Sequence, residues 1–64
     1  MTNYGSLARS RRLELGMTQV QVADKAGCSL DTVNVFENDR RNMTMDIVLS
    51  ILDAVGLKVE VVEK

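Results

Sequence analysis

Thr18-Gln19-Val20-Gln21-Val22-Ala23-Asp24-Lys25-Ala26-Gly27-Cys28-Ser29-Leu30-Asp31-Thr32-Val33-Asn34-Val35-Phe36-Glu37 carries the first structural signal in this chain. It opens on a capping box, Thr18 to Gln21. In such a box the threonine hydroxyl accepts from the amide three residues on, and the glutamine reaches back to the threonine amide. A helix is predicted from there through Val22 and Ala23 to about Ala26, and Gly27 stands where a left-handed residue would close it. Ser29 offers a second N-cap, with Asp31 in the first turn where the helix dipole favours an anion, and this helix runs to about Glu37. Only about three residues around Gly27 join the two helices, so they must cross closely. Ala23 supplies the small side chain that a close crossing needs, and Gly27 the tolerance of positive φ that the turn needs. Val33 and Phe36 are predicted to pack back on the preceding helix, which leaves Leu30, Asp31, Asn34 and Val35 facing outward.

Upstream, Ser6 to about Leu15 places Leu7, Ala8, Leu13 and Leu15 at helical spacing, followed by Gly16. Downstream, Asn38-Asp39-Arg40-Arg41-Asn42 is polar and turn-prone and reads as a loop. Thr44 caps a further helix, with Asp46 in its first turn and a core stripe of Met45, Val48, Ile51, Leu52 and Val55. After Gly56 the period changes. Leu57-Lys58-Val59-Glu60-Val61 alternates apolar and charged residues, which predicts a half-buried strand with Leu57, Val59 and Val61 on its apolar side. No other strand is predicted, so its backbone groups need a partner from a second copy, antiparallel across a two-fold axis. A frayed tail is the alternative.

Sixty-four residues make one domain. A chain this short buries only about 60% of its unfolded surface and folds marginally unless something staples it. A single cysteine, Cys28, excludes an internal disulfide, and without histidine there is no zinc set. Oligomerisation is the remaining staple. The absence of histidine and the lack of room for a pocket argue against an enzyme, and no cofactor is expected. No apolar run approaches a membrane span, and the N-terminus lacks a signal-peptide pattern. A lone thiol fits a reducing, cytoplasmic setting. The net charge of −1 hides a segregation. Residues 1–43 hold six basic and five acidic side chains, a balance of +1, and residues 44–64 hold two against four, a balance of −2. A balance of +1 predicts weak non-specific affinity for nucleic acid.

The capped helix pair, its short turn, the small crossing residue and the apolar anchors together meet the requirements of a helix-turn-helix. Residues 7–56 resemble the Cro/C1-type (Xre-type) helix-turn-helix family of phage repressors and bacterial regulators. The resemblance is carried by Arg12-Leu13-Glu14-Leu15-Gly16-Met17-Thr18-Gln19, Val22-Ala23-Asp24-Lys25-Ala26-Gly27 and Val33-Asn34-Val35-Phe36-Glu37-Asn38. It implies an all-α, lambda-repressor-like bundle of four helices, or five, plus one short C-terminal strand pairing across a dimer. The division expected is a DNA-binding domain at 1–56 and a dimerising strand at 57–64. The tail resembles that of the antitoxin of the Hip persistence module, where the strands of two subunits pair as a lid.

The family implies roles for matching positions. Gln19 corresponds to its phosphate-contacting glutamine, and Ser29 and Thr32 would also touch the DNA backbone, as would Arg40 and Arg41 in the following loop. Leu30, Asp31 and Asn34 fall on the base-reading positions. The first two depart from the common residue types. Leucine can meet only apolar surface such as a thymine methyl, while Asp31 either accepts from cytosine N4 or merely favours the helix start. Asn34 is the candidate for a bidentate adenine contact. Arg12 and Glu37 match a family pair that locks the first helix to the base-reading one. Arg9 and Arg11 read either as a solvated helix face or as phosphate contacts, and Cys28 as a small core filler rather than a redox sensor.

The expected function is sequence-specific binding of double-stranded DNA by a homodimer on a palindromic operator, with repression as the output and no membrane involved. With no room for a ligand domain, regulation is expected through dissociation, turnover or a second protein. The alternative is an antitoxin that neutralises a partner toxin and autoregulates its operon, for which the acidic C-terminal third would supply a face.

Overall fold

The computed structural model describes residues 4–38 and 43–60. Four helices follow one another: α1 (Tyr4–Glu14), α2 (Gln19–Ala26), α3 (Leu30–Glu37) and α4 (Met45–Ala54). The starts of α2, α3 and α4 are built by side chains. Thr18, Ser29 and Thr44 each accept from the amide three residues ahead, of Gln21, Thr32 and Ile47. The box on α2 is complete, because the Thr18 amide donates to Gln21 Oε1 at 2.8 Å.

The ends of α1, α2 and α4 share one solution. Behind α2, Gly27 sits at φ 73° and donates to Asp24 O, and Cys28 N donates to Ala23 O at 3.0 Å. These two bonds use carbonyls that a helix end otherwise orphans, and they turn the chain sharply. Met17 N and Leu57 N close α1 and α4 in the same way, onto Arg12 O and Leu52 O. In each case the residue after the glycine, namely Met17, Cys28 or Leu57, packs against the core. Each corner is therefore pinned by backbone bonds and by an apolar contact together.

Val22 and Ala23 from α2, Val33 and Phe36 from α3, Ile51, Leu52 and Ala54 from α4, Val55 just after it and Ala8 from α1 make one core. Ala23 is buried where α2 meets its neighbours, and Val33 and Phe36 turn inward as expected. Other apolar expectations need correction. Leu7, Leu13 and Leu15 are exposed, because α1 buries a narrow stripe of small residues, Gly5 and Ala8. Met45 is 66% exposed. Ile47, outside the expected stripe, packs against the core together with Val48, so the buried face of α4 is rotated away from Met45.

No strand forms over 57–60, the described part of the strand expected at 57–61, and among the described residues none offers a ladder to pair with. Val61 lies outside the described residues. Leu57, expected on the dimer face, is half-buried against its own core, whereas Val59 is 40% exposed. No fifth helix occurs among the described residues, and none of the helices is long and apolar enough to cross a membrane.

Candidate nucleic-acid interface

The surface presented by α3 begins with its N-cap. Ser29 Oγ accepts from Thr32 N at 3.1 Å and shares a hydrogen bond of 2.8 Å with Thr32 Oγ1, so the two hydroxyls expected at the DNA backbone are tied to each other. Leu30, Asp31 and Asn34 all stand on the exposed side of α3, with Leu30 47% exposed. The inward side holds Val33, Phe36 and Glu37. Glu37 is only 6% exposed, the one buried charged residue among those described.

A buried carboxylate needs a charge partner and full hydrogen bonding. Arg12 supplies both from α1. Its Nε donates to Glu37 Oε2 at 2.7 Å and its Nη2 to Oε1 at 3.0 Å, a bidentate fork. The third arm, Nη1, donates to Met17 O at 3.0 Å, so the same guanidinium ties down the α1–α2 corner. The hydrogen bond to Glu37 is the main cause that holds the Arg12 pKa above its ordinary value, against the opposing effect of burial.

Gln19, the first residue of α2, is half-buried and bonded inward. Its Nε2 donates to Glu37 Oε1 at 3.1 Å, and its Oε1 accepts from Asn34 Nδ2 at 3.4 Å. Asn38 Nδ2 donates to Asn34 O at 2.8 Å and to Asn34 Oδ1 at 3.4 Å. A continuous polar chain thus runs from α1 through the carboxylate to the face of α3. Residue spacing makes the Asn34–Asn38 step legible, since residues four apart share a helix face. Nothing in the sequence announces that Gln19 and Asn34, fifteen positions apart, meet.

A shallow open groove runs beside this chain, bordered by Arg9, Val20, Leu30 and Asn38. Arg11 pairs with Glu14 at 3.2 Å on the exposed side of α1. Arg40 and Arg41 lie outside the described residues. Cys28 sits against the core, and burial pushes its thiol pKa up, which suits a packing role and not a reactive one. Among the described residues no cluster of three or more side chains could hold a metal ion.

Two short helices crossed at a glycine turn, with the second locked inward by an ion pair and exposing a polar face, define a Cro/C1-type helix-turn-helix module. A family model described as a helix-turn-helix domain matches residues 3–64. The chain belongs to that helix-turn-helix family and is of the Cro/C1 type. It is similar to a propionyl-CoA carboxylase regulator of Cereibacter sphaeroides, 34% identical over 55 residues, which is 86% of this chain and 12% of that protein. The chain therefore spans a small part of that relative's length. It is also similar to a solved structure, a point mutant of the restriction-modification controller protein C.Esp1396I, with a TM-score of 0.80 and 25% identity over 88% of this chain and 73% of the other. These two relatives are a regulator and a controller, and the antitoxin reading of the tail gains no support from them.

Proposed function

We propose that the chain binds duplex DNA sequence-specifically as a homodimer and represses transcription from a palindromic operator. The observation that carries this reading is the placement of Leu30, Asp31 and Asn34 on one exposed face of an eight-residue helix whose other face is locked by the Arg12–Glu37 pair. A helix of that size fits a major groove, and its side chains then face base edges. Asn34 is assigned to adenine, Leu30 to a thymine methyl and Asp31 to cytosine N4. Gln19, Ser29, Thr32, Arg40 and Arg41 are assigned to backbone phosphates, which set register without reading sequence. Residues 1–56 form the reading domain and 57–64 the dimerising segment, with Leu57, Val59 and Val61 in the interface. Two such domains related by a two-fold axis reach successive major grooves about 34–36 Å apart, which demands a palindromic site. A dimer lying across two grooves excludes other proteins from that stretch, and repression follows from occlusion.

Selection of bound sequences from random duplex DNA at two salt concentrations tests this. The expected result is an inverted repeat whose enrichment survives the higher salt. Enrichment that vanishes with salt, with no motif, would leave only charge attraction and overturn the reading.

A further inference from the structure

Side-chain amides have two faces, a donor and an acceptor, and a helix-borne asparagine reads a base only if each face is on the correct side. The orientation of the Asn34 amide is set from within the protein. The Glu37 carboxylate can only accept, and both of its oxygens are engaged by Arg12. Gln19 must therefore turn its Nε2 to Glu37 and its Oε1 away. That oxygen can only accept, so Asn34 must present Nδ2 to it. From the other side, Asn38 is fixed by Asn34 O, a second group that only accepts, and so it aims Nδ2 at Asn34 Oδ1. Donors thus point one way along the whole row, Asn38 to Asn34 to Gln19 to Glu37. Flipping Asn34 would set oxygen against oxygen at Gln19 and N–H against N–H at Asn38. In its present orientation Asn34 keeps one further N–H and one further lone pair among the described residues, the set that adenine N7 and N6 require.

We propose that Gln19 is a positioning residue: it transmits the fixed orientation of the Arg12–Glu37 pair to Asn34 and so decides which edge of the Asn34 amide donates and which accepts. This rests on the reading of Asn34 as a base contact, and goes beyond it by assigning specificity to a residue otherwise expected only at a phosphate. A phosphate contact alone would add affinity for every sequence equally. A positioning role adds discrimination at one base pair.

The test uses Gln19→Met, which keeps the length of the side chain and deletes the amide, and Asn38→Ala, which lies on the surface and removes the other anchor. In the free protein, nitrogen-15 relaxation of the Asn34 side-chain amide is expected to show a restrained group in the parent and a mobile one in both variants. On DNA, a bidentate contact discriminates the correct base pair by about 5–150-fold, and Gln19→Met is expected to lower that ratio several-fold, beyond any uniform loss of affinity. An Asn34 amide equally restrained in Gln19→Met overturns the proposal without touching the DNA reading. An unchanged discrimination ratio with a loosened amide overturns it as well. If Gln19→Met fails to fold, Gln19→Ala carries both measurements, because Asn38→Ala leaves the Gln19 contact in place. Failure of the DNA reading itself shows separately, as unaltered sequence preference in Asn34→Ala.

Discussion

At the scale of single residues, the energetics concentrate on Asn34, Arg12 and Glu37. Replacing Asn34 by alanine is expected to cost about 1–3 kcal/mol of specific binding and to relax preference at one position in each half-site, read by competition binding against single-base variants. The Arg12–Glu37 pair belongs to the fold first. Removing either partner strands a buried charge, and each single truncation is expected to cost about 3–5 kcal/mol in urea unfolding. Replacing both by apolar residues, Arg12→Met with Glu37→Leu, is expected to cost less than the sum, and a double-mutant cycle without coupling would reject the pairing. This pair was within reach of sequence reasoning only through family resemblance. No periodicity relates positions 12 and 37, and in the amide row behind them only the Asn34–Asn38 step was within reach, because the other steps cross between α2 and α3.

At the scale of elements, the local chemistry was legible and the orientation was not. The N-caps at Thr18, Ser29 and Thr44 work through hydrogen bonds that reach three residues, so short-range residue identity suffices to find them. Met45 shows the opposite case. Apolar spacing says that α4 has a buried face, but the rotation of that face depends on what α2 offers it, and Ile47 takes the place expected for Met45. The tail shows a third case, in which the alternation is local and no pairing partner stands among the described residues. The turn of the helix-turn-helix gives an element-scale prediction. A Cβ added at Gly27 would have no atom within 4 Å, so Gly27→Ala meets no clash and its cost is that of a left-handed backbone alone. A loss of about 1–2 kcal/mol in thermal or urea unfolding is expected, with Gly27→Asn losing less.

At the scale of the whole molecule, the tail tests the assembly. An antiparallel two-fold centred on Val59 sets Val59 against its own copy and Lys58 against Glu60 of the second copy, twice over. Shifting the centre by one residue sets Lys58 against Lys58 or Glu60 against Glu60, which repel. Within one chain Lys58 and Glu60 are well exposed and form a loose ion pair of 3.8 Å with each other, which pairing with a second copy would have to replace. Lys58→Glu is expected to weaken the dimer in sedimentation, and adding Glu60→Lys is expected to restore it. Deleting residues 57–64 is expected to leave a monomer or weak dimer with operator affinity reduced by orders of magnitude, because the second half-site contact is then no longer intramolecular. A deletion variant still dimeric at micromolar concentration would move the interface elsewhere, onto α4.

The reach of the Arg12 guanidinium, from α1 to Glu37 at the end of α3 and to the Met17 carbonyl between, bears on how long the folded state lasts. Its partners come from the end of α3 and the α1–α2 corner, and an ion pair half withdrawn from water loses hydration before it gains its fork. The pair is therefore expected to form on the native side of the folding barrier. Weakening it is expected to leave the refolding arm of a chevron almost unmoved and to steepen escape from the native state, multiplying the unfolding rate by nearly the whole loss in equilibrium constant. One arginine would then act as a latch on the lifetime of the reading surface.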